Sequence, residues 1–352
     1  MAITVSVRGR IEILGNHTDY NGGRVLVAPT NRVVTVGVEI TADRRVTVTS
    51  ETFRGRVSRR ISATEPVVGR GAWANYVFGS VVLLRSEGMI LDGIRIHVSG
   101  DLPCGAGLAS SAALCVAALR GISRTFGRRL PPRQLAAFAQ RVETDFLGVP
   151  VGPLDPLSCA LGRRGHLLRF DFGGEPLWER VALPREWKIL VFESGKRHAL
   201  VSGRYAERRR ECAAAARALG APNLGQLNPA QFNRRAPALS AKLRRRACHV
   251  VMESARVDAA GRMLGGARGA AGMGALLNAS QQSSQDNFES SHPAVNRLVA
   301  RLRAISEVAG ARLTGGGFGG AVIAWVRREN VAGAVAKLAA DGGAAVRLLD
   351  LV

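Results

Sequence analysis

Apolar and polar residues alternate over residues 3–7 and 33–49, in runs such as "VVTVGVEI" and "RRVTVTS", and this period of two predicts strands. "IRIHVSG" (94–100), "HLLRFDF" (166–172) and "WKILVFES" (187–194) predict three more. Apolar spacing of the helical kind covers residues 73–87, 109–125, 132–147, 229–235, 237–257, 259–267, 294–308 and 330–341. "GRYAERRRECAAAARALG" predicts a further helix, stopped at Gly220, a residue suited to a C-terminal cap. "ARLTGGGFGGAVIAWV" (311–326) reads as strand, glycine turn and strand, and "AVRLLDLV" (345–352) as a last strand. Strands and helices are mixed without a strict βαβ period, which predicts an α+β fold. The expected boundary falls between residues 175 and 190, dividing the chain into 1–182 and 183–352.

Composition narrows the class. The chain has 352 residues, 47% of them hydrophobic and 22% charged, enough for a sizeable core and about two domains. No window approaches the ~18 uninterrupted apolar residues of a membrane span, and "MAITVSVRGR" is strand-like rather than a signal peptide. A soluble cytoplasmic protein with no membrane partner is expected. The five cysteines are odd in number and form no CxxC pair, which argues against a disulfide framework or a structural zinc site.

The net charge of +22 raises a nucleic-acid reading. Lysine occurs only at positions 188, 196, 242 and 337, so the charge is carried almost wholly by arginine. Its runs, Arg208–Arg210 and Arg244–Arg246, lie in helical segments with few aromatic residues on which bases could stack. A solvated basic face fits better, and no nucleic-acid partner is expected.

Two glycine-rich segments carry candidate chemistry. "LPCGAGLASSAAL" (102–114) follows a strand and opens a helix. Gly105 and Gly107 permit close backbone approach, and the helix start offers unpaired N–H donors, which together suit a phosphate. The segment is neither a Walker A loop nor a dinucleotide fingerprint. "TGGGFGG" (314–320) places five glycines in seven residues, a composition that needs a reason beyond connecting two strands.

Three segments, in order, resemble the signature motifs of the GHMP small-molecule kinases, and within them the galactokinases. They are "GRIEILGNHTDYNGG" (9–23), "LPCGAGLASSAAL" and "ARLTGGGFGGAVIAWV". The likeness continues through "WANYVFG" (73–79), "ETDFLGVPVGPLD" (143–155), "RHALVSGRYAERRREC" (197–212) and "MGALLNASQQSSQDNFESS" (273–291). The resemblance implies a two-lobed fold: a ribosomal S5-like N-terminal lobe, an α/β C-terminal lobe and the active site in the cleft between them. It also implies transfer of the ATP γ-phosphoryl group to the anomeric hydroxyl of a sugar.

Roles follow from the same resemblance. It makes Asp155 the catalytic carboxylate and Arg10 its partner. Ser111 and Glu143 become Mg²⁺ ligands, both oxygen donors as that hard cation requires. Gly105, Ala106, Gly107, Leu108, Ala109, Ser110, Ser111 and Ala112 form the ATP cradle, joined by Gly316 and Gly317. Asn16, His17, Asp19, Gly152 and Tyr205 fall at sugar-contacting positions, and Trp73, Asn75 and Tyr76 on the nucleotide side. Galactokinases carry Glu where this chain has Asn16. Galactose is therefore the leading substrate, with galacturonate or another C6-variant sugar as the alternative and Lys196 or Arg197 as neighbours of a uronate. A non-catalytic sugar sensor is a third reading, opposed by the presence of Ser111 and Ala112. A monomer or weak homodimer is expected.

Overall fold

The computed structural model describes residues 3–89, 92–196, 202–265, 269–341, 343 and 346–352. Its strands are β1 (Ile3–Leu14), β2 (Arg24–Thr41), β3 (Arg45–Ser50), β4 (Arg56–Arg60), β5 (Gly93–Gly100), β6 (His166–Asp171), β7 (Leu177–Ala182), β8 (Trp187–Glu193), β9 (Val308–Leu313), β10 (Ala321–Arg327) and β11 (Leu348–Leu351). Its helices are α1 (Asn75–Ser86), α2 (Ser110–Thr125), α3 (Pro132–Arg141), α4 (Leu154–Leu161), α5 (Ser202–Ala218), α6 (Pro229–Arg235), α7 (Ala241–Leu264), α8 (Met273–Asp286), α9 (Pro293–Arg303) and α10 (Val331–Ala340). They build two compact units. The first comprises residues up to Arg10, Asn31–Cys104 and Ala109–Gly162; the second comprises Ile11–Thr30, Gly105–Leu108 and Arg163–Val352.

In the first unit the strand order is β4-β3-β5-β2, with β3 parallel to β5 and the other pairs antiparallel. Alternation sends Val36, Val38, Val48, Ile94 and Ile96 into the core. Helix α2 lies close on β2: a Cβ added at Gly121 would stand 3.0 Å from a Val38 methyl. The expected helix 132–147 is α-helical only to Arg141 and then widens into a π turn, Val142–Phe146. Gly79 of α1 makes room for that turn, since a Cβ there would come within 2.6 Å of the Phe146 ring.

The second unit holds an antiparallel sheet of order β11-β8-β10-β9. Leu298 and Leu302 of α9 and Leu338 of α10 pack with Leu190, Phe192 and Val322 of that sheet. Helices α5, α6 and α7 close a second core around Cys212, Phe232, Val250, Val251 and Phe288. The first half of β2 pairs with β6, and β6 with β7. Helix α8 lies almost on the backbone of β9, where a Cβ on Gly274 would stand 2.0 Å from the Ala309 carbonyl oxygen.

The alternating segments form strands as expected, and β1 runs on to Leu14. Two expected helices, 237–257 and 259–267, form the single helix α7, whose start is set by the Ser240 hydroxyl accepting from Leu243 N–H. Pro237 sits in the preceding 3₁₀ turn. Strands β4 and β7 and helices α4 and α8 went unpredicted. The strands are short and rich in charged residues, α4 has only eight residues with Pro156 in its first turn, and α8 is polar on its buried side, so none shows a sustained apolar period. Among the described residues no helix is long and apolar enough to cross a membrane.

Candidate active site

In the first unit, Arg10 near the middle of β1 meets Asp155 in the first turn of α4. The Arg10 Nε–H donates to Asp155 Oδ1 and the NH2 group to Oδ2, both at 2.8 Å. Arg10 is buried while the Asp155 side chain keeps 34% of its surface exposed. A two-pronged grip of this kind fixes the carboxylate plane and leaves its exposed edge available to a hydroxyl.

Glu143, in the π turn, is buried and accepts a hydrogen bond from the Ser111 hydroxyl at the start of α2. Burial, reinforced by the negative charge of Asp155, pushes the Glu143 carboxyl up to about 7 against the pull of Ser111. Ala109, just before α2, has φ +59°, a conformation that L residues rarely adopt and that is often kept where function requires it. Gly152 lies two residues before α4, partly buried. The structure therefore brings Arg10, Ser111, Glu143 and Asp155 into one unit, with direct bonds linking Arg10 to Asp155 and Ser111 to Glu143.

Tyr76 of α1 is close enough to Glu143 for burial, then that acid, to push its phenol up to about 12. Asn75 instead holds its own loop, donating to Val67 O and accepting from Val67 N–H. Trp73 stacks on Phe53, ring centroids 5.3 Å apart.

In the second unit the two glycine segments approach one another: a Cβ on Gly107 would lie 3.5 Å from Thr314 O. Ala106 and Leu108 are buried between open glycines. Gly317 has φ +78°, and its missing Cβ would stand 2.4 Å from Ser290 O. Thr314 ties the turn to β1, its hydroxyl accepting from Glu12 N–H at 2.8 Å and donating to Glu12 O at 3.0 Å.

His17, at φ +61°, faces the same turn. Its Nε2 lies 3.0 Å from Gly316 O, which can only accept, so that nitrogen carries the proton and Nδ1 accepts from Tyr20 OH at 2.9 Å. The ring packs between Phe288 at 4.6 Å and Tyr205 at 5.4 Å, with Tyr20 also 5.4 Å from Tyr205. Asp19 opens a 3₁₀ turn and is partly exposed.

Asn16 stands two residues beyond the end of β1. It is fully buried, and its amide donates to Gly315 O at 2.8 Å and Glu12 Oε1 at 3.1 Å, while Ser290 Oγ donates to its Oδ1 at 3.3 Å. The sugar-contact expectation for Asn16 thus meets an amide whose donors and acceptor serve protein groups. Lys196 is described, and its carbonyl accepts from Gly320 N–H; Arg197 lies outside the described residues.

Several residues of this constellation escaped the sequence reading. His249 and Glu253 are one helical turn apart on α7, and both are buried. His249 Nε2 donates to Asn16 O at 3.0 Å, and Glu253 Oε1 accepts from Gly15 N–H at 3.1 Å and Ser280 Oγ at 2.5 Å. Burial holds the imidazole down at about 4 despite Glu253 beside it. Burial would raise Glu253, but Arg256 and Arg312 outweigh it and bring the carboxyl to about 2. The i, i+4 spacing of an imidazole and a carboxylate on an otherwise ordinary helix was the available signal.

Family models match both halves of this frame. That for the GHMP kinases N terminal domain covers residues 75–163, that for GHMP kinases C terminal covers 266–344, and the galactokinase galactose-binding signature covers 2–40. The chain is thus a GHMP kinase, an ATP-using phosphotransferase of two-domain α+β architecture. It resembles the galactokinase of Lactococcus lactis, solved with galactose, at 30% identity and a TM-score of 0.89, over 96% of this chain and 88% of that one. The chain belongs to the galactokinase family. Lower likenesses share the fold alone. The mevalonate kinase of Methanococcus jannaschii is 15% identical (TM-score 0.71; 100% and 98% covered), and the Streptococcus pneumoniae phosphomevalonate kinase 14% (0.69; 99% and 99%).

Proposed function

We propose that the protein transfers the γ-phosphoryl group of ATP to the anomeric hydroxyl of galactose, giving galactose 1-phosphate and ADP. The observation that carries this reading is the Arg10–Asp155 pair: a half-exposed carboxylate held rigidly by a buried guanidinium. Asp155 accepts the proton of the anomeric hydroxyl. The sugar oxygen then bonds to the γ-phosphorus as the bond to the β,γ-bridging oxygen breaks, and ADP leaves with that electron pair. Arg10 keeps the carboxylate in plane and adds positive charge near the transferring group.

The cradle of residues 105–112 and the turn holding Gly316 and Gly317 bind the triphosphate through bare backbone. Ser111 and Glu143 would hold Mg²⁺. They fit it: both are oxygen donors, and the buried Glu143 carboxyl is one that a divalent cation would stabilise as the anion. The metal would supply charge neutralisation for the phosphates. His17, Asp19, Tyr205 and Gly152 bind the sugar. The galactose-binding signature over residues 2–40 and the likeness to a galactokinase solved with galactose support this sugar. The C6-variant alternative loses its motive, because the Asn16 amide is engaged by Glu12, Gly315 and Ser290.

The division at 182/183 is kept for the two family domains, since the N-terminal model lies wholly before it and the C-terminal one wholly after. We place the enzyme in the cytoplasm, where ATP and its sugar meet. The test is ADP release with ATP against galactose, galacturonate, glucose and L-arabinose, with the phosphorylated carbon assigned by NMR. Galactose preferred, with phosphate at C1, is expected; phosphate elsewhere, or another sugar preferred, would refute the reading.

A further inference from the structure

We propose that Asn16 is a positioning residue for the glycine turn 314–320, and that its amide is demanded by Glu12 rather than by the sugar. Its two N–H groups point at obligate acceptors, a carboxylate oxygen of Glu12 and the carbonyl of Gly315, which fixes the orientation of the amide. Ser290, whose carbonyl also lies against Gly317 and accepts from Phe318 N–H, donates to the remaining oxygen. One buried side chain therefore joins β1, the glycine turn and the segment after α8.

Charge explains why the residue is neither Asp nor Glu. Arg312, fully buried on β9, donates to Glu12 Oε1 at 3.2 Å and to Ile13 O at 2.8 Å, and lies 3.9 Å from Glu253. Arg256 donates to Glu253 at 2.6 Å. Two carboxylates thus face two guanidinium groups. A carboxylate at position 16 would add a third negative charge, setting acceptor against acceptor at both Glu12 and Gly315 in a site without solvent.

The proposal rests on the nucleotide-binding role proposed above for the turn, and the test separates the two. Wild type, Asn16→Asp, Glu12→Gln and the double variant are compared by thermal melting and by calorimetry with AMP-PNP and with galactose. Asn16→Asp is expected to melt lower and to bind AMP-PNP at least about tenfold more weakly, with galactose affinity within about threefold of wild type. Adding Glu12→Gln returns a donor facing the new carboxylate and should recover most of both losses. A loss confined to galactose binding, or a double variant no better than Asn16→Asp, overturns the proposal. Should Asn16→Asp not fold, a folded double variant supports it and an unfolded one overturns it. Absence of ATP-dependent sugar phosphorylation by wild type would instead refute the function, while the melting cycle would still report on the Glu12–Asn16 pair.

Discussion

Arg10 and Asp155, 145 residues apart, are joined by two parallel hydrogen bonds of 2.8 Å each, a buried guanidinium holding a half-exposed carboxylate. If that carboxylate takes the proton of the sugar, Asp155→Asn keeps the size and loses the base. We expect kcat to fall by about 10²–10⁴ with KM values little changed. Arg10→Lys preserves charge without the two-pronged grip and should fall between wild type and Arg10→Ala. Steady-state kinetics beside a circular dichroism spectrum checks this; an Asp155→Asn enzyme of wild-type turnover would remove Asp155 from the chemistry.

The π turn that carries Glu143 depends on Gly79. A Cβ there would approach Phe146 at 2.6 Å and Val142 at 2.9 Å, the residues that bracket Glu143. Gly79→Ala should therefore shift the turn, with an overpacking penalty of about 1–3 kcal/mol. The expected signature is a raised Mg²⁺ requirement at saturating ATP, accompanied by weaker Mn²⁺ binding in an EPR titration. Unchanged Mn²⁺ affinity would show that the turn absorbs the methyl without moving Glu143.

Much of this arrangement was readable from local pattern. Strands β1 and β5 and the second half of β2 alternate in hydrophobicity, β8 is a short apolar run, and the glycine turns and the polar run at 16–19 stand out by composition alone. What stayed hidden was long-range pairing. Glu12, Ser290 and Gly315 converge on Asn16, the last across 299 residues, and no short spacing encodes that. Helix α8 was hidden for a related reason: its buried Ser280, Gln281 and Ser283 are polar because they serve Glu253, Leu313 N–H and His249. A helix that buries hydrogen-bond partners in place of apolar side chains shows no apolar period.

The glycine turn offers a test of close approach. Gly317 combines φ +78° with a missing Cβ that would stand 2.4 Å from Ser290 O. Gly317→Ala must move backbone, since a carbonyl cannot rotate aside like a side-chain tip, and the strain is about 1–3 kcal/mol. We expect a lower melting temperature and a KM for ATP raised about tenfold, with KM for galactose nearly unchanged. An equal rise in both KM values would show that the turn serves the sugar as much as the nucleotide.

His249 makes the stability of the second unit depend on acidity. Its imidazole is held at about 4 against an ordinary 6.5, chiefly by burial, with Glu253 opposing and Arg256 and Arg312 assisting. The unfolded chain takes up a proton as pH falls through 6.5, whereas the folded chain resists until about 4. The neutral ring's contribution is therefore complete above that upper value and is lost progressively between the two, a loss of about 3 kcal/mol by pH 4. Glu253, held at about 2 against 4.5, acts in the same direction below that window. Urea midpoints measured from about pH 7.5 down to about pH 4.5 should fall steadily in wild type. His249→Gln can still donate to Asn16 O but no longer titrates, so it should flatten the curve above pH 4.5 while starting from a lower plateau. A wild-type midpoint independent of pH over that range would mean that the ring is protonated as readily in the folded chain as in water.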